Sequence, residues 1–185
     1  PVQHSSDRVL KSMRRGITGR ALRELLATMR EEVPGLALRT TLIVGYPTET
    51  EEDFEDLLEF VKEEKFHRLG VFAYSQEDGT SAFPLEDPLP AVEKERRRSA
   101  IMEAQQEISL ERNEALVGSV QRVLIDRTEN GQSVGRTEAD APEIDNEVYV
   151  NANGEVNPGT FCDVEILDAS EYDMYGRLRE PSHSA

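Results

Sequence analysis

The stretch "LRTTLIVGYPTETEEDFEDLLEFV", residues 38–61, decides the fold class of the amino-terminal part of the chain. Thr40, Thr41, Leu42, Ile43 and Val44 are mostly β-branched and make too short a run for a stable helix, so they read as a strand that stops at Gly45 and Pro47. Phe54, Leu57, Leu58 and Val61 recur at i, i+3, i+4 and i+7 with carboxylates between them, the pattern of an amphipathic helix. Thr48 with Glu51, or Thr50 with Asp53, fits a capping box at its start, where acidic residues also suit the helix dipole. The stretch is therefore a strand, a loop and a helix. Ligands of α/β proteins bind beyond the carboxyl ends of the strands, where this loop lies. It has neither a G-x-x-x-x-G-K-[ST] nor a G-x-G-x-x-G pattern, and Glu49, Glu51, Glu52 and Asp53 repel anions, so a neutral or cationic ligand suits it better than phosphate. Taken alone, a capped surface helix without a ligand is the plainer reading.

Upstream, the chain opens "PVQHSSDRVL" on what reads as a strand end, followed by a short helix capped by Ser5, Ser6 or Asp7 and carrying Val9, Leu10 and Met13. A second helix has the stripe Leu22, Leu25, Leu26 and Met29 and closes at "VPG", residues 33–35. Downstream, residues 66–75 read as another strand and the turn-rich "QEDGTSAFPLEDPLP" follows. The order β, α, α, β, α, β calls for parallel strands with covering helices. A charged helix of about 40 Å then runs over residues 91–116, with Val92, Ile101, Ala104, Ile108 and Ala115 as its sparse apolar side. Beyond Gly118 the chain changes to short strands separated by turns at Asn130-Gly131 and Asn153-Gly154, the signature of a small all-β barrel. Two domains are expected, residues 1–115 and 116–185.

The 185 residues are 37% hydrophobic, enough for packed cores. No apolar run reaches membrane-spanning length and nothing at the start resembles a signal peptide. The opening without Met reads as a piece of a longer, cytoplasmic protein. One cysteine, Cys162, rules out an intrachain disulfide and any Cys-only cluster built from this chain, and between Phe161 and Val164 it reads as a buried small hydrophobe. Three scattered histidines form no metal constellation. The net charge is −16, and from residue 116 onward 14 Asp and Glu stand against 5 Arg and no Lys. Such a balance disfavours direct nucleic-acid binding and suits either solubility or a basic partner.

"PVQHSSDRVLKSMRRG", "LRTTLIVGYPTETEEDF", "GVFAYSQEDGTSA" and "DAPEIDNEVYV", in this order and spacing, resemble the methylthiotransferases of the radical S-adenosylmethionine superfamily, and among them the ribosomal protein methylthiotransferases. The resemblance covers nearly the whole chain. It implies the carboxyl-terminal portion of a partial, TIM-like (β/α) radical SAM barrel, followed by a small all-β TRAM domain of OB-like form. It also implies S-adenosylmethionine as cofactor and two [4Fe-4S] clusters in the complete enzyme, one of them on a C-x-x-x-C-x-x-C loop that this chain lacks. The implied reaction adds a methylthio group to the β-carbon of an aspartate of the small-subunit ribosomal protein S-twelve, and the fragment alone is expected to be inactive. Two alternatives are a tRNA-modifying methylthiotransferase with an RNA-binding TRAM domain and a non-catalytic interaction module. The β-domain's lack of lysine counts against the first.

With the resemblance, the carboxylate-rich loop carrying Glu49 becomes compatible with a sulfonium. Arg39, Thr41, Ile43 and Gly45 share one strand face by alternation, and Gly45 is expected to let the cofactor approach the backbone; the plainer role of Gly45 is a turn. The family pattern has Gly-Glu-Thr after the proline where this chain has Thr48-Glu49-Thr50. Gln3, His4 and Ser6 are expected as polar contacts at a strand end, Arg15 as a partner for the methionine carboxylate, and Phe72 or Tyr74 as a wall for adenine. Against these stand a structural His4, a solvated Arg15 and aromatics that only pack. Glu138, Asp140, Glu143 and Asp145, in "TEADAPEIDNE", are expected to dock a basic ribosomal protein, or else to form a solvated acidic loop.

Overall fold

The computed structural model describes residues 1–142, 144–151 and 156–179. They form two compact units, Pro1–Gln105 and Gln106–Ala185.

The first unit carries α1 (Asp7–Ser12), α2 (Gly19–Glu32), β1 (Arg39–Val44), α3 (Glu51–Glu64), β2 (Arg68–Ala73) and the larger part of α4 (Ala91–Glu114). β1 and β2 pair in parallel, Leu42 opposite Val71 and Ile43 opposite Phe72. The expected opening strand is a single parallel bridge: the Gln3 amide donates to the Thr41 carbonyl and the Ile43 amide to the Gln3 carbonyl, each at 2.9 Å. Gln3 has φ 74°, which ends the extended run there. β1 alternates as the sequence requires, with Thr40, Leu42 and Val44 buried. Phe54, Leu57, Phe60 and Val61 of α3 are buried, so Phe60 joins a stripe in which Leu58 is only half-buried. On α2 only Leu22 and Leu26 of the expected stripe are buried; Leu25 and Met29 face solvent.

α4 departs most from its expected face. Val92 is 77% exposed, and Ala115 is exposed beyond the helix end. Ile101, Ala104 and Ile108 are buried, and in phase with them lie Lys94, Arg97, Gln105, Ser109 and Asn113, also buried. The apolar side looked sparse because the buried stripe is largely polar.

The second unit is a closed barrel in the order β3-β4-β5-β7-β6: β3 (Val120–Glu129), β4 (Gln132–Arg136), β5 (Glu147–Asn151), β6 (Phe161–Ala169) and β7 (Asp173–Leu178). Asn130 and Gly131, at φ 51° and 79°, make the two-residue turn between β3 and β4 that their identity predicts. The Asn153-Gly154 turn lies outside the described residues. β5 and β7 pair in parallel, a closure no local signal announces. Register shifts at Ile125/Arg127 and Ile166/Asp168 let such short strands curve into a closed wall. Val123, Ile125, Val148, Val150, Cys162, Val164, Ile166 and Met174 fill the interior.

Candidate functional site at the strand ends

β1 ends because Gly45 adopts φ +71°, a backbone conformation that strands do not use. The loop then turns tightly, the Glu49 amide donating to the Tyr46 carbonyl at 2.8 Å. Thr50 and Asp53 complete the capping box, with the Thr50 amide donating to Asp53 Oδ2 at 2.8 Å.

Glu49 folds back into the protein. Its Oε2 accepts the Gly45 amide at 2.9 Å, and its Oε1 accepts Arg97 Nη1 at 2.6 Å. His4 Nε2 lies 3.4 Å from Oε2, an electrostatic contact rather than a full hydrogen bond, and the side chains of His4 and Glu49 are both 0% exposed. His4 Nδ1 accepts the Ser6 amide at 3.0 Å, so the proton of a neutral ring sits on Nε2, facing the carboxylate. Burial alone would raise the Glu49 pKa; the His4 contact and the hydrogen bonds from Arg97 and the Gly45 amide outweigh it and hold the carboxyl below its usual range. Arg97 reaches further, from Nη2 to Glu51 at 2.8 Å and from Nε to Glu93 at 2.9 Å. Lys94, one turn earlier, donates to the Tyr74 carbonyl at 3.2 Å and pairs with Asp87.

Two expectations change here. Gly45 does not continue the face of Thr41 and Ile43, because alternation stops with its positive φ. The side a Cβ would occupy is filled by Lys94, whose Cγ would lie 2.5 Å from it, so the close approach that needs glycine is made by this chain itself. Glu49, wholly enclosed, offers no carboxylate oxygen outward and acts as an internal bracket. Sequence reasoning passed over Lys94 and Arg97; the signal was their place in phase with Ile101, Ala104 and Ile108.

The other face of β1 stays open. Thr41 and Ile43 are half-buried, Gly70 lies beside Thr41 across the strand pair, and Phe72 is 62% exposed next to Gly70. The Gln3 side-chain oxygen is buried with no hydrogen-bond partner in the structure, an orphaned acceptor suited to a ligand N–H or O–H. Thr41, Gln3 and Phe72 therefore fit a small molecule with an apolar ring and polar groups. Tyr74 instead packs edge-on against Tyr46, ring centroids 5.2 Å apart, beneath Lys94. Ser6 donates to Asp53 at 2.6 Å, and the exposed Arg15 donates to the Pro1 carbonyl at 2.8 Å.

In the barrel unit, the proposed docking carboxylates separate. Asp140 is 7% exposed and its Oδ2 accepts the Thr137 hydroxyl at 2.6 Å; Asp145 accepts the Ala141 amide at 2.7 Å. Both hold the turn together, because short acidic side chains bond local backbone and hydroxyl groups. Glu138 is exposed, and Glu143 lies outside the described residues. Arg127, Arg136 and Arg177 are paired with Glu147, Asp126 and Glu165.

An iron–sulfur cluster takes thiolate ligands. The one cysteine, Cys162, is buried in the barrel with its thiol pushed up by burial and by Asp163, so the residues of this chain do not fit such a cluster. Among the described residues no group of His, Cys, Asp and Glu is placed to hold a metal ion, and no helix is long and apolar enough to cross a membrane.

Residues 1–61 match the radical SAM superfamily and residues 117–178 match the TRAM domain. The protein named ribosomal protein uS12 methylthiotransferase RimO of Chloroherpeton thalassium is 54% identical over 96% of this chain. The proteins of the same name from Flavobacterium johnsoniae and Anaeromyxobacter sp. (strain Fw109-5) are 52% identical over 95% of it and 53% identical over 100%. The chain thus carries a radical SAM match followed by a TRAM match, and it is similar to these methylthiotransferases. The chain spans 42%, 40% and 40% of the length of these relatives. The TRAM match coincides with the closed barrel, and the radical SAM match ends inside α3.

Proposed function

We propose that the chain is the carboxyl-terminal part of a radical S-adenosylmethionine methylthiotransferase that modifies ribosomal protein uS12 at the β-carbon of an aspartate. The observation that carries this reading is 54% identity, across 96% of the chain, to a relative named as a ribosomal protein uS12 methylthiotransferase. Residues 1–115 are the late part of a partial (β/α) barrel and residues 116–185 the TRAM domain. The open face of β1 and β2 lines the cofactor site: Ile43 and Phe72 form an apolar wall for adenine, Thr41 and the orphaned Gln3 oxygen accept or donate polar contacts, and Arg15 is free to swing from the Pro1 carbonyl to the methionine carboxylate. S-adenosylmethionine held there would supply, on taking one electron from a cluster of the complete protein, the radical chemistry that removes hydrogen from the target carbon. What this chain contributes is orientation of the cofactor and exclusion of water from it. Ligands for two [4Fe-4S] clusters come from the remaining length of the complete protein, so the chain alone is inactive. The acidic TRAM domain, with Arg127, Arg136 and Arg177 already paired, attracts a basic ribosomal protein.

Incubating the complete, reduced protein with uS12 and S-adenosylmethionine, followed by mass spectrometry of uS12 peptides, tests this directly. Methylthiolation at one aspartate is expected. Unmodified uS12, with methylthio groups appearing on tRNA instead, would assign the chain to the tRNA-modifying branch.

A further inference from the structure

We infer that Arg97 is the positioning residue of the cofactor-side loop, fixing the ends of β1 and α3 relative to one another; this rests on the reading of the strand ends as an S-adenosylmethionine site. Arg97 makes one hydrogen bond within its own helix, to Glu93. Its other contacts all fall on the loop or the first turn of α3: Nη1 on Glu49 at 2.6 Å and on the Thr50 carbonyl at 3.4 Å, Nη2 on Glu51 at 2.8 Å. Through Glu49 it also fixes the Gly45 amide, the first group beyond the strand. A guanidinium presents five N–H groups in a rigid fork, so one side chain holds the start of the loop, its end and the following helix at once. Its side chain is 4% exposed, which removes the water that would otherwise compete for these acceptors. The guanidinium also lies over the Phe54 ring, 5.3 Å from the centroid, which sets its plane. A residue needed only to stabilise α4 would find its partners on α4.

Lysine keeps the charge but cannot span the three carboxylates, so Arg97→Lys separates positioning from charge compensation. Calorimetric titration of the complete protein with S-adenosylmethionine, beside thermal unfolding, reads the two. With Arg97→Lys the Kd should rise about tenfold, as for the loss of a charge-assisted hydrogen bond, with the melting temperature lowered but the protein still folded at the temperature of the titration. Glu51→Gln, at a half-exposed carboxylate, releases one arm of the fork and should raise the Kd by a smaller factor. Hydrogen exchange at the Gly45 amide should quicken in Arg97→Lys. An unchanged Kd in both variants, with the unaltered protein binding normally, overturns the positioning role and leaves the cofactor site standing. Failure of the unaltered complete protein to bind S-adenosylmethionine overturns the site and the inference together.

Discussion

Glu49 and Arg97 form a buried ion pair whose value lies in being complete. Desolvating either charge is costly, and removing one partner strands the other, at a cost of about 3–5 kcal/mol. Glu49→Ala is therefore expected to destabilise the first unit by about that amount, and Glu49→Gln, which still accepts the Gly45 amide, by less; urea unfolding of the two variants checks the order. The same carboxylate makes the unit acid-labile. Its native pKa is depressed, so the stability it contributes is present above the unfolded value of about 4.3 and is lost as pH falls through the native one. Glu93, held at about 2 by hydrogen bonds from Arg96 and Arg97, extends that window downward. Melting temperature measured from pH 6 to pH 2 should fall progressively below about pH 4.3, and a flat profile would show that the network contributes nothing. At Gly45 the positive φ and the Lys94 contact act together, so Gly45→Ala should cost about 2–4 kcal/mol from backbone strain and overpacking. For the same reason a substitution at Gly45 is a poor probe of cofactor contact.

Among the elements, those with local chemistry were legible in the sequence. The capping box at Thr50 and Asp53 and the Asn130-Gly131 turn were readable because a few adjacent residues determine them. α4 was read with the right span and the wrong face. Its buried stripe includes Lys94 and Arg97, and apolar periodicity cannot register a charge that is buried because a distant loop supplies its partner. Val92 and Ile101 give the check at this scale. Ile101→Ala should destabilise the first unit by about 2–5 kcal/mol, whereas Val92→Ser should change stability by less than about 0.5 kcal/mol, in guanidinium titrations of each variant. Alternation placed Thr41 and Ile43 on one face of β1, and the strand pairing, which the sequence does not reveal, sets Phe72 beside them. Gly45 and Glu49 were placed on the ligand side because the sequence does not reveal that one is covered by Lys94 and the other enclosed by Arg97.

In the whole molecule, charge is divided between an amino-terminal unit whose ion pairs brace its loops and a barrel unit with 14 carboxylates against 5 arginines from residue 116 onward. Asp140 and Asp145 serve the turn, so reversing them would disturb the barrel and say little about a partner. Glu138 and Asp163 are exposed, and Glu138→Lys with Asp163→Lys should slow association with the basic ribosomal protein by about threefold or more at low salt and flatten its salt dependence. Stopped-flow association rates across a salt series read this, and an unaltered slope would count against docking by the barrel. On the proposed reading, the open face and loop at the carboxyl ends of β1 and β2 bind S-adenosylmethionine. Hydrogen–deuterium exchange of the complete protein, with and without S-adenosylmethionine, tests it most directly. Protection is predicted within residues 41–50 and 70–74 and not within residues 120–178; protection confined to the barrel, or absent from both strand ends while the cofactor binds, would contradict it.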